Sequence, residues 1–388
     1  MTAVSPACDP TWTRGATVDH ARLAEARVDW KALAKRSLEP NVFYDPDFAL
    51  PAAAALGQTK TLRAVLVHTD EVDRPGRVSG LFPFTLSRRW GVPITAGVAF
   101  IHPYAMSSAP LVDPDGAGAT VAAFLRWLER GEDAPAAWLF RFLPQDGPLK
   151  DALDEALGES CMLVRTYARY DRAVLDGSHL DQDSFEATLS PKRSREYRRL
   201  RRKLGEHGTV TVTRAVEPDA VKVAIGEYLA LETSGWKGRR GTAAALTAET
   251  RHMFEAIAGG LSKTGQIRVD ALRVDGSPAT IAVSCGIKDS WWLWKISYDE
   301  TFAAYSPGVL VLLGVTDKAI AAGDRYDSCA LPGIAMIERL WRQRRPYADM
   351  LIVPKRLGAL GGAVIGLESL RRQTEAAAKA ARTTLRKG

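Results

Sequence analysis

The segment Trp291-Trp292-Leu293-Trp294-Lys295-Ile296-Ser297-Tyr298, followed by Asp299 to Ala304 and then Tyr305-Ser306-Pro307-Gly308-Val309, reads as an apolar strand, a short loop and the start of an apolar helix. Three residues mark the helix start. Ser306 is a capping residue, Pro307 suits a first turn, and Gly308 lets another group approach the backbone closely. Free N–H groups and the helix dipole at such a start attract a phosphate or pyrophosphate. Ser306, Pro307, Gly308 and Val309 are therefore the candidate donor-phosphate residues. A capped helix with nothing bound satisfies the same residues.

Working outward, the spacing predicts strands at 266–274, 279–287 and 291–297, then a helix over 308–321 and a strand at 325–328. A helix over 334–344 and a strand at 350–353 close this half. It opens with a helix over 194–207, a strand at 209–213, and helices at 218–232 and 248–262. The first half repeats the pattern. Strands at 62–68, 78–86 and 95–101 precede a helix over 118–130, a strand at 137–142, a helix over 149–157 and a strand at 162–167. Helices over 21–37 and 47–55 come before them. Both halves thus read strand-strand-strand-helix-strand-helix-strand, an α/β class with α+β mixed sheets. The polar stretch Asp176–Asp183 suggests domains at 1–176 and 177–360, with 361–388 a basic, Ala-rich helix or tail.

A length of 388 residues is comfortable for two domains, and 46% apolar with 25% charged residues is an ordinary globular balance. The longest apolar run, Val309 to Leu313, is far short of a membrane span. No signal peptide is read at the N-terminus, so a cytoplasmic protein is expected. Cys8, Cys161, Cys285 and Cys329 stand far apart, which argues for reduced thiols and against a metal site. The net charge of +7 is concentrated between Lys192 and Lys203, where eight of twelve residues are Lys or Arg. Such a helix leaves only a narrow stripe of Tyr197, Leu200 and Leu204. A solvated face, an anionic cofactor and an anionic membrane surface at the inner face remain open as its partners. Specific nucleic-acid readout is not expected, because no motif that would organise it is present.

The run Glu232-Thr233-Ser234-Gly235-Trp236-Lys237-Gly238-Arg239-Arg240-Gly241 resembles a segment of a bacterial GNAT subfamily. That subfamily includes the CelD-type proteins and is related to the Fem peptidoglycan aminoacyltransferases. The helix Ser194–Arg199, the Tyr305–Gly308 loop, Tyr326-Asp327, Glu39–Tyr44 and His102-Pro103-Tyr104 extend the likeness over roughly residues 25–355. The resemblance implies two tandem GNAT-like acyltransferase domains, with the acceptor side in the first and the donor side in the second. It also implies acyl transfer, commonly from an acyl-CoA thioester, to an amine. One departure stands out: related chains often carry Tyr-Lys where this one has Ile337-Glu338.

Direct attack by an amine on a thioester needs a base for the amine proton and donors for the oxyanion. Glu232 and Asp327 are the candidate bases, and Tyr298 or Tyr305 the candidate donor to the leaving thiolate. Glu232 can equally pair with Lys237 or Arg239, and Asp327 can cap the following helix. Trp236 and Lys237 are candidate walls of the acceptor site, although a Trp there also suits the core. His102 and Tyr104 are candidate acceptor contacts. The expected chemistry is N-acylation of an amino-sugar or an amino-lipid such as a sphingoid base, without a metal. A Fem-like aminoacyl-tRNA-dependent transferase and a catalytically silent GNAT-fold scaffold are the alternatives.

Overall fold

The computed structural model describes residues 12–69, 76–131, 133–160 and 162–385. Cys8, Cys161, Arg386 and Lys387 lie outside them. In chain order the elements begin with β1 (Trp12–Asp19), α1 (His20–Glu25), α2 (Arg27–Arg36), α3 (Pro46–Ala55), β2 (Arg63–Thr69) and β3 (Arg77–Ser87). Next come β4 (Ala96–Ala99), β5 (Leu111–Val112), α4 (Ala117–Arg130), β6 (Ala137–Pro144), α5 (Pro148–Glu159) and β7 (Met162–Asp176). After these lie α6 (Gln182–Thr188), α7 (Pro191–Leu204), β8 (Val210–Ala215), α8 (Pro218–Ser234), α9 (Trp236–Arg239) and α10 (Ala248–Ser262). The chain continues with β9 (Ile267–Val274), β10 (Ser277–Ile287), β11 (Ser290–Tyr298), α11 (Pro307–Ala322) and β12 (Arg325–Asp327). It ends with α12 (Ala335–Glu338), β13 (Gln343–Pro354) and α13 (Ala359–Leu385).

Two compact units form. The first holds residues up to Glu39, Lys60–Arg169 and Ala348 onward; the second holds Pro40–Thr59 and Tyr170–Tyr347. The units interleave along the chain, because β7 and β13 each give one half to either unit. In the first unit the strand order is β1-β2-β3-β4-β6, continued by the far half of β13 and the near half of β7. Phe82, Phe124, Trp127 and Trp138 lie at the centre of its core, with Phe82 stacked on Phe124 at 4.1 Å. The second unit runs from the remaining halves of β13 and β7 through β12-β11-β10-β9-β8. Phe43 and Phe48, brought in by the 40–59 segment, meet Trp292 and Trp294 edge-on at 5.9 and 5.2 Å.

Each unit contains antiparallel strands, a helix and a parallel return. In the first, β3 pairs antiparallel with β4, and after α4 strand β6 lies parallel to β4. In the second, β10 pairs antiparallel with β11, and after α11 strand β12 lies parallel to β11. The antiparallel pair, helix and parallel strand at the centre of the pattern read from the sequence therefore recur in both units.

Several expectations need correction. The predicted helix over 334–344 is a four-residue turn, α12; Leu340 and Trp341 are buried and the chain then enters β13 as a strand. The helix predicted over 21–37 is interrupted at Ala26. Strand β7 continues to Asp176, nine residues beyond its expected end, because Val174 and Leu175 pair with β12. β1 carries too few apolar alternations to announce itself, and its pairing with β2 defines it. On α7, Leu200 and Leu204 are buried and Tyr197 packs partly on the core, as the narrow apolar stripe predicts. No helix among the described residues is long and apolar enough to cross a membrane.

Candidate active site

Strand β11 has a half-open edge. Its parallel pairing with β12 runs from Ser290–Arg325 to Trp292–Asp327, yet β11 continues to Tyr298. Beside the part of β11 beyond its pairing with β12 lies a cleft of about 280 Å³ lined by Glu232, Gly235, Trp236, Lys237, Ile296, Ser297, Tyr298, Gly308 and Met336. Five residues singled out from sequence meet here: Glu232, Trp236, Lys237, Tyr298 and Gly308. They come from the ends of α8 and β11, from α9 and from the start of α11.

Two carboxylates pin the wall of the cleft. Glu232, buried near the end of α8, accepts from Lys237 Nζ at 2.6 Å and Tyr228 Oη at 2.8 Å through Oε1. Its Oε2 accepts from the Ala244 amide at 2.8 Å. Burial opposes the charge, but the bonds from Lys237, Ala244 and Tyr228 hold the carboxyl below its ordinary value of 4.5. Glu300 accepts from the Trp236 amide at 2.7 Å and pairs with Arg239 at 2.5 Å. Gly238 is required by close approach, since a Cβ there would stand 1.7 Å from the Thr233 carbonyl oxygen. Trp236 is not a core residue: it is 43% exposed, with the Arg240 guanidinium 5.2 Å from its ring.

The helix start differs from its expected form. Ser306 sits in the left-handed region at φ 50° and makes no side-chain cap bond, so its capping role is corrected. Its carbonyl instead receives the amides of Val309 at 2.9 Å and Leu310 at 3.3 Å. Pro307 has no N–H. Gly308 is thus the one amide of these four without a backbone partner among the described residues. A Cβ at Gly308 would stand 3.0 Å from Met336 Sδ, so the glycine keeps this corner of the cleft open.

The other expected residues lie elsewhere. Asp327 is buried and fully engaged: it receives Arg172 Nη1 at 3.2 Å on both oxygens, Tyr347 Oη at 2.6 Å and the Cys329 amide at 2.7 Å. It lies outside the cleft lining, and these donors anchor it at the end of β12. Tyr305 exchanges a 2.7 Å hydrogen bond with His207 Nε2 and also lies outside the lining. His102 and Tyr104 belong to the first unit, where His102 Nδ1 accepts from the Tyr104 amide at 3.3 Å. Burial pushes the Cys329 thiol well above its ordinary range, which disfavours it as a nucleophile.

Lys295 was missed from sequence, although it is the only charged residue in β11. Burial, then the neighbouring Lys237 cation, push its ammonium down to about 8, while Glu232 pulls the other way. The sign of the linkage follows. A base whose folded value lies below its unfolded 10.5 destabilises the fold while protonated, and that cost fades as pH rises from about 8 to 10.5. Lys295→Met is therefore expected to raise the melting temperature at neutral pH and to raise it less near pH 10.5. An equal effect at both values, measured by calorimetric melting, would mean that Lys295 is well solvated.

Residues 191–331 match the family described as acetyltransferase (GNAT) domain. The fold is similar to that of FemX, with a TM-score of 0.56 and 12% identity over 86% of this chain and 98% of that one. It is also similar to the C-terminal domain of a putative lysylphosphatidylglycerol synthetase from Agrobacterium fabrum, with a TM-score of 0.51 and 12% identity over 89% and 96%. A Bacteroides thetaiotaomicron protein of unknown function gives 0.53 at 11% identity over 88% and 99%. No curated protein matches the chain. Residues 191–331 thus match a GNAT acetyltransferase domain, and the fold of the chain as a whole is similar to that of FemX.

Proposed function

We propose that the second unit transfers an acyl group from an acyl-CoA thioester to an amine of an amino-sugar or an amino-lipid such as a sphingoid base. The setting would be envelope polysaccharide or lipid synthesis, in line with the CelD-type resemblance. The observation that carries this reading is the edge of β11 beyond its pairing with β12, beside Gly308, which lines the cleft and whose amide has no backbone partner among the described residues. A thioester arm carrying amides can pair along the free strand edge, while its pyrophosphate meets the N-terminus of α11. Its carbonyl then lies toward Glu232, Lys237 and Tyr298.

In the proposed step the amine nitrogen attacks the thioester carbon. Glu232 receives the amine proton directly or through water. The tetrahedral oxyanion is stabilised by donors in the cleft, with the Lys237 ammonium the nearest cation to hand. Collapse breaks the C–S bond, and Tyr298 returns a proton to the thiolate. His102, Tyr104 and Trp236 remain candidates for acceptor contact.

The donor site has a direct test. Gly308→Val places a branched side chain where even a Cβ crowds Met336. It is expected to raise the dissociation constant for coenzyme A at least about tenfold, roughly 1.4 kcal/mol. Calorimetric titration of the folded variant checks this, and unchanged affinity would place the donor elsewhere. A second reading, an aminoacyl-tRNA donor, is favoured by the likeness to FemX and the Fem resemblance. Titration with aminoacyl-tRNA beside coenzyme A separates the two, and binding of neither supports a silent scaffold.

A further inference from the structure

Helix α12 borders two surfaces. Met336 lines the cleft, whereas Ala335, Glu338 and Arg339 line a separate concavity of about 480 Å³ with Arg193, Arg342 and Arg344. Glu338 already accepts the Gly333 amide at 2.8 Å, and Arg344 donates to the carbonyls of Trp341 and Gln343. Arg193, Arg339 and Arg342 make no side-chain ion pair or hydrogen bond among the described residues. Arg193 belongs to α7, whose Lys192, Arg195, Glu196 and Arg199 line a further hollow, with Arg199 paired to Glu196. In the turn that enters α12, Leu331 is 49% and Ile334 45% exposed.

Unpaired arginines around a hollow recognise phosphate oxygens, since a guanidinium offers two parallel donors to them. The exposed Leu331 and Ile334, just before Ala335 of that lining in the chain, decide between phosphate-bearing partners. Single-stranded nucleic acid binds through backbone charge and aromatic stacking, and aliphatic side chains give it no platform. A bilayer interface gains from both features at once, from buried aliphatic area and from cations at the headgroup level.

We infer that the face formed by Arg193, Arg339, Arg342, Leu331 and Ile334 seats on an anionic phospholipid bilayer. The arginine-lined concavity takes phosphodiester headgroups, and the two aliphatic side chains enter the acyl boundary. This deepens the proposed use of an amino-lipid acceptor, because α12 then stands between the membrane and the cleft.

The test is flotation of the full chain with vesicles of phosphatidylcholine, with and without phosphatidylglycerol. The wild type is expected to favour the anionic vesicles at least about tenfold. Arg339→Gln with Arg342→Gln is expected to lower that binding about tenfold at low salt and less at high salt. Leu331→Ser with Ile334→Ser is expected to lower it about tenfold at both. Leu331→Ser alone serves where the pair lowers the melting temperature. Wild-type indifference to phosphatidylglycerol, full binding by the serine variants, or preference for transfer RNA over vesicles would each overturn the inference. Coenzyme A affinity is read separately: vesicle binding without it would sink the donor reading and leave this surface standing.

Discussion

Arg172→Met is expected to destabilise the protein by about 3–5 kcal/mol, the usual consequence of leaving one member of a buried pair without the other. Arg172 is fully buried, contacts both Asp327 oxygens at 3.2 Å and lies 3.9 Å from the centre of the Tyr347 ring. Burial works against its charge, yet Asp327 raises its pKa above the ordinary value. Methionine keeps the length of the side chain but leaves the Asp327 carboxylate with only Tyr347 and the Cys329 amide. Adding Asp327→Leu to Arg172→Met is expected to recover part of the loss, because the stranded charge is then gone. Chemical unfolding of the three variants measures this. A single-variant loss below about 1 kcal/mol would show a solvated pair and release Asp327 for other work.

Glu232→Gln is expected to lower turnover about a hundredfold to a thousandfold with little change in coenzyme A affinity, the range for losing a positioned base. The amide keeps the size of the side chain but cannot hold a proton or the Lys237 charge. The same carboxylate is also structural. With its folded value below 4.5, its contribution to stability is complete above that pH and is lost as pH falls through the lowered value. Steady-state kinetics beside melting curves separate the two roles. Turnover that tracks only the fraction of folded protein would leave Glu232 as the anchor of the 236–244 segment and nothing more.

Much of the second unit was legible because its patterns are local. The apolar run Trp291–Tyr298 and the helix beginning at Pro307 are set by side-chain period and by the fixed φ of proline. Helix α10 was read to the residue for the same reason, with Thr247 accepting from the Thr250 amide at its start. The Trp-Lys-Gly run marked the cleft wall, and Gly238 turned out to be fixed by contact with the Thr233 carbonyl. Helix α12 was overread, because an apolar period at 334–341 does not distinguish a helix from a buried turn that feeds a strand.

The amino-acid order by itself determined the element pattern, its repeat, and which residue types could serve an acyl transfer. Tertiary structure alone decided which of the two candidate carboxylates lines the cleft. Glu232 and Asp327 read alike in sequence, yet Asp327 meets Arg172, 155 positions away, and Tyr347, 20 positions away, while Glu232 opens on the cleft. It also decided that Lys295 is buried beside Lys237 and Glu232, and that Trp236 is an exposed wall of the cleft. Burial and charge partners depend on contacts between distant segments, and no local period encodes them. The shared strands β7 and β13 follow the same rule, since only pairing across the sheet tells a long strand where to end.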